Sequence, residues 1–208
     1  MNYSSIYIVR HGEKKSRLHL IDCLDQRGIQ RSYHLLKVFN DKTLPKPEYI
    51  FANHFFDQID CQRCIQLGIP LADKLNIKIN DDYGTVFWIG SDHKIVNKIQ
   101  EIIAKKHTNI LIIWEHVNVI ILCKLLGVQY TPHWPDHDYD TIYEIKIFDN
   151  KNVTFKILKQ HFKYQNNIKM KPLSKQKFYD NKWKIHMHLF MVCIVLMLFF
   201  TIHNVSSK

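Results

Sequence analysis

Acidic residues all but vanish from the end of this 208-residue chain: positions 151–208 hold 11 Lys and a single acid, Asp180. Residues 1–150 are balanced, with 18 Lys+Arg against 18 Asp+Glu, so the formal net charge of +10 sits in the tail. A basic face on the folded domain is therefore not indicated, which argues against nucleic-acid binding by it. Nothing at the N-terminus reads as a signal peptide, because 6–9 is too short an apolar run and no basic residue precedes it. Internal repeats and low-complexity segments are missing as well. The five cysteines are odd in number and scattered, so reduced thiols are expected. Cys61 and Cys64 have CxxC spacing, but no second pair is present for zinc and no thioredoxin-like context surrounds them. They read as buried thiols on a helix. No metal-ligand cluster and no cofactor motif stand out.

What is present is a globular composition, 46% hydrophobic and 23% charged, at a length that buries a core in one domain with an appendage. Apolar runs and helical stripes alternate. The run 6–9 predicts a first strand, and Asp25 is an N-cap for a helix reaching about Asn40. The run 49–52 predicts a second strand. A helix over 58–75 carries Pro70, which predicts a kink or break. Ile77 and Ile79 mark a third strand, and 81–90 reads as a loop. Ser91 is a cap for the next helix, 109–114 is a central strand covered on both faces, and a helix over 118–126 ends at Gly127. Strands at 141–148 and 153–160 flank a turn and read as a hairpin. The fold class is α/β: a three-layer sandwich with a mostly parallel sheet flanked by helices, a C-terminal β-hairpin, and then a C-terminal hydrophobic helix.

Chemistry in such sheets gathers beyond the carboxyl ends of the strands. There Arg10-His11-Gly12 follows the first strand and Glu115-His116 the fourth. Arginine offers a fixed fork of donors for phosphate oxygens, and histidine is a nucleophile or proton carrier near neutral pH.

Val9-Arg10-His11-Gly12-Glu13 resembles the signature of the histidine phosphatase superfamily, the phosphoglycerate-mutase-like proteins. Three more stretches fit in order: Leu24-Asp25-Gln26-Arg27-Gly28-Ile29-Gln30; Arg63-Cys64-Ile65-Gln66 with Pro70-Leu71-Ala72; and Ile112-Ile113-Trp114-Glu115-His116. The Trp-Glu-His ending and the later Trp134–Asp140 stretch resemble a subgroup whose substrates are poorly defined. The resemblance implies that His11 is the nucleophile, forming a phosphohistidine that water hydrolyses. It implies that Arg10 and Arg63 clamp the phosphate and His116 donates a further hydrogen bond. Three cationic donors would also keep His11 neutral, the nucleophilic form. No metal is needed. The implied activity is a phosphomonoester hydrolase acting on a phosphorylated small molecule or phosphoprotein. A mutase is disfavoured by the short connecting segments, and a catalytically weak phosphate-binding or scaffold protein is the alternative.

The general acid that many members carry is not evident, and Asp81, Asp82 and Glu115 are the candidates. Neighbouring side chains on a strand point to opposite faces, which counts against Glu115 unless the strand has ended there. Beyond the 1–162 domain, 163–184 reads as a basic linker and 185–202 as an apolar run broken by His186, His188 and Thr201. As a helix that run would span about 27 Å, near the thickness of a thin membrane's hydrocarbon core. Lys182 and Lys184 before it place the domain on the cytosolic face, as in a tail-anchored protein of a thin, ER-like membrane. The alternative is a soluble cytoplasmic protein.

Overall fold

A computed structural model describes residues 2–14, 23–55, 62–86, 89–90, 92–171 and 173. The expected linker end, the apolar run 185–202, Cys61 and Ser91 lie outside the described residues. Among the described residues no helix is long and apolar enough to cross a membrane.

The central sheet has six strands in the order β4-β2-β7-β1-β8-β9. β4 (Ile79–Asn80), β2 (Tyr49–Ala52), β7 (Asn109–Trp114) and β1 (Tyr3–Arg10) run parallel, and β8 (Thr141–Phe148) and β9 (Val153–Lys159) form the antiparallel hairpin. β1 and β7 lie at the centre, where both faces are covered and β-branched side chains are buried. Ile6, Ile8, Ile110, Ile112 and Trp114 pack with Ile95 and Ile99 of α3 (Asp92–Ile103) and Val119 and Leu122 of α4 (His116–Leu125). Ile50 and Ile113 meet α2 (Arg63–Leu75) at Gly68, and Tyr7 meets Phe39 just after α1 (Gln26–Val38). These pairings make the three layers.

Three local features differ from expectation. The 81–90 region is not a simple loop: β5 (Gly84–Val86) and β6 (Ile89–Gly90) pair with each other, and β5 pairs with β3 (His54–Phe55), forming a second, small sheet. Pro70 does not end α2, which runs on to Leu75 with Pro70 buried inside it. Its ring costs one backbone hydrogen bond there, and burial of Leu67, Leu71 and Ala72 on either side offsets that. The cysteines divide: Cys64 and Cys123 are buried free thiols, whereas Cys23 is disulfide-bonded.

Two connections hold the segment after β1 in place. Asp25 caps α1, its Oδ1 accepting from Gly28 N at 2.9 Å, while Asp25 N donates to Glu13 O at 3.0 Å. A Cβ at Gly28 would lie 2.3 Å from Glu13 O, so only glycine lets α1 approach the segment after His11 this closely. At the other end of the domain, Gln26 and Gln30 bond the backbone of Gln165, Ile168 and Met170, holding the chain after β9 along α1.

Candidate active site

The register places Arg10 beside Trp114 at the C-terminal ends of β1 and β7, and His11 N donates to Trp114 O at 3.3 Å. Asn53, which follows β2, donates its backbone N–H to Ile113 O at 2.9 Å. Three parallel strands therefore release their chains at one rim. Trp114 is pinned from behind, its Nε1 donating at 3.0 Å to the buried Asp92, whose carboxyl is raised by burial.

His11 is almost wholly buried at that rim. Its Nδ1 donates to Gly12 O at 2.7 Å, which fixes the tautomer and leaves the lone pair on Nε2. Burial, with Arg63 nearby, holds the imidazole below its ordinary pKa, against the pull of Glu115. The neutral form is therefore favoured.

Arg63 is the first residue of α2 and is as buried as His11; its guanidinium lies 3.8 Å above the Phe55 ring. Its Nη2 donates to Glu115 Oε2 at 2.8 Å. Arg10 lies 4.3 Å over the Tyr139 ring, and its Nη1 donates to the carbonyls of Pro135 (3.4 Å) and Asp136. Arg10 Nε is buried and meets no acceptor among the described residues. His116 opens α4, with Nδ1 2.6 Å from Glu115 Oε1 and Nε2 3.0 Å from Asp136 Oδ1.

Arg10, His11, Arg63 and His116, predicted from three separate stretches, thus meet in one place. Of the three acid candidates, only Glu115 joins them. β7 has ended at Trp114, and Glu115 is the N-cap of α4 without a side-chain cap bond, so the strand alternation no longer governs its direction. Its Oε2 lies 3.4 Å from His11 Nε2. Burial alone would raise this carboxyl, but the bond with His116 and the charge of Arg63 hold it far below the usual carboxylate range. Asp81 instead pairs with His54 at 3.7 Å, and Asp82 is exposed. His11's contacts run to Gly12, Glu115, His116 and Tyr139 and include neither aspartate.

Asp136 and Tyr139 carry more of the site than sequence reasoning assigned them. Tyr139 packs edge-on to His11 at 5.8 Å as well as beneath Arg10. Trp134, by contrast, is core, stacked on Tyr143 at 4.5 Å. Beyond Tyr139 a cleft of about 550 Å³ opens between Glu13, Arg27, His137 and Tyr164.

His11, Glu115 and His116 bring one ligating atom each within 4.8 Å of one another. The donor types suit a divalent cation, but Arg63 already bonds the carboxylate, and Arg10 adds a second positive charge beside it. Two guanidinium charges beside the triad disfavour a further cation there.

No family model matches the chain, and no curated protein matches it in sequence. Solved structures do. The chain is similar to the protein histidine phosphatase SixA, solved with tungstate, at 18% identity and a TM-score of 0.54, covering 75% of this chain and 97% of that one. It is similar to phosphoglycerate mutase from Bacillus anthracis at 12% identity and a TM-score of 0.55, covering 76% and 93%. Alpha-ribazole phosphatase from Shigella flexneri matches at 13% identity and a TM-score of 0.50, covering 78% and 100%. The fold is that of the phosphoglycerate-mutase-like histidine phosphatases.

Proposed function

We propose that this chain is a metal-independent phosphomonoesterase that works through a phosphohistidine on His11. The observation that carries the reading is the tautomer: Nδ1–H is committed to Gly12 O, so Nε2 presents its lone pair where Arg10, Arg63 and His116 converge. In the first step Nε2 attacks phosphorus, the P–N bond forms and the bond to the leaving oxygen breaks. The two guanidinium groups and His116 stabilise the charge on the equatorial oxygens. In the second step water attacks phosphorus, the P–N bond breaks, and phosphate leaves with His11 restored. The named activities of the similar structures, a protein histidine phosphatase and an alpha-ribazole phosphatase, support hydrolysis of a phosphorylated small molecule or phosphoprotein.

Hydrolysis of p-nitrophenyl phosphate by the full chain tests this, because its leaving group needs no acid. His11→Ala is expected to lower kcat/KM by at least about a thousandfold. Activity surviving that substitution would end the phosphohistidine mechanism.

A second reading, a weakly catalytic phosphate-binding protein, is favoured by one observation: Arg10, Arg63 and His116 already donate to protein acceptors. Binding of phosphate without turnover in the same assay would select it. For the tail, the sequence supports a membrane anchor over 185–202 with the domain on the cytosolic side. The Cys23 disulfide pulls the other way, since cytosolic thiols are held reduced. Protease protection of the domain in sealed microsomes decides the side, and fractionation of a chain ending at residue 184 decides the anchor.

A further inference from the structure

The carboxylate of Glu115 stands where an anion belongs. Its Oε2 takes the 2.8 Å bond from Arg63 Nη2 and lies 3.4 Å from His11 Nε2, while Oε1 is 2.6 Å from His116 Nδ1. One carboxylate therefore engages three of the four groups that would hold a phosphoryl group. The charged and titratable groups facing it are Arg10 and His11 at the end of β1, Arg63 and Cys64 on α2, His116 on α4 and Tyr139 from the loop after α4. Asp136 lies across the His116 ring. Among the described residues, Glu115 is thus the one buried acid inside this ring.

Attack from Nε2 sets the phosphorus directly ahead of that nitrogen, with the leaving oxygen on the far side. An atom 3.4 Å from Nε2 and bonded to Arg63 is level with the equatorial oxygens, not with the leaving oxygen opposite. As placed, Glu115 competes with the phosphoryl group for its donors. Two anions that close cannot both keep their charge.

We propose that Glu115 is a built-in occupant of the phosphoryl pocket and must take up a proton before a tetrahedral dianion can bind. Neutral, its carboxyl becomes a donor to a phosphoryl oxygen and releases Arg63 to a second one. A phosphomonoester monoanion can supply that proton itself: ROPO₃H⁻ and the carboxylate become bound ROPO₃²⁻ and the carboxyl, with no net uptake from solvent. A permanent dianion must draw the proton from solution. This inference rests on the phosphoryl reading of the site and names what regulates it.

Sulfate is a dianion throughout the working range, so its pH dependence reports on the protein. Calorimetric titration of the full chain between pH 7 and pH 9 stays above the ordinary imidazole pKa of about 6.5. Wild-type affinity is expected to fall close to tenfold for each unit of pH, as one linked proton requires. Glu115→Gln should bind nearly independently of pH, and at least about tenfold tighter than wild type at pH 9. Should that variant fail to fold, the wild-type slope alone decides. A flat wild-type profile, or equal affinities, overturns the inference and leaves the phosphoryl site standing. If folded protein of both kinds binds neither sulfate nor inorganic phosphate, the phosphoryl reading falls with it.

Discussion

Two clusters built on buried arginines adjoin the segment His11-Gly12-Glu13, and they differ in how many guanidiniums face their carboxylates. Arg31 on α1 forks onto Glu13 with bonds of 2.9 and 2.7 Å, reaches Asp140 at 3.4 Å and Gln160 at 3.3 Å, and lies over Phe162. One guanidinium there faces two carboxylates. At the strand rim, Arg10 and Arg63, with His11 and His116, face the buried carboxylate of Glu115 and the exposed one of Asp136. Both clusters bury an arginine over an aromatic ring, so burial and stacking do not separate them. The ratio of guanidinium groups to carboxylates does: two to two among the described residues of the rim, one to two at Arg31. A guanidinium outnumbered by carboxylates is a structural pin, and a rim with two guanidiniums and a histidine has donors to offer an arriving anion.

The sharpest way to break this contrast is to remove an arginine from each. Arg63→Ala deletes a donor to the phosphoryl oxygens, and kcat/KM should drop about a hundred- to a thousandfold, read by steady-state assay. If the loss were only a few-fold, Arg63 would be another pin. Arg31→Met strands Glu13 without its fork, and denaturant unfolding should show a loss of about 2–3 kcal/mol, with kcat/KM changing only a few-fold. A catalytic loss as large as that of Arg63→Ala would erase the distinction.

The strand-end tripeptide was legible in the sequence as an apolar run ending on Arg10-His11, and Arg63 through the resemblance of its helix to a family motif. Glu115 was legible only as one of three acids. Its direction depends on β7 stopping one residue earlier, and a run such as Asn109–Trp114 does not announce its last residue. Asp136 and Tyr139 reach Arg10 across more than 120 positions, and no local periodicity encodes that. The small sheet of β3, β5 and β6 escaped for a similar reason, its strands being two or three residues long. The break that Pro70 allowed does not occur, and the residues packed around it are buried.

A smaller effect sharpens the comparison further. Burial and Arg63 hold His11 below its ordinary pKa, so the lone pair persists at pH values where an exposed histidine is already protonated. The acid limb of kcat/KM, which reports the free enzyme, should therefore lie below about 6.5. A limb above that value would mean that the neighbouring carboxylate, not burial and Arg63, dominates the imidazole.

The central claim is that His11 Nε2 accepts the phosphoryl group. Rapid alkaline quenching of the full chain during turnover of p-nitrophenyl phosphate, followed by peptide mass spectrometry, tests it most directly. The account predicts an acid-labile, alkali-stable phosphoryl adduct on His11 that is missing from His11→Ala. Turnover with the adduct on another residue, or with none on the protein, would contradict it.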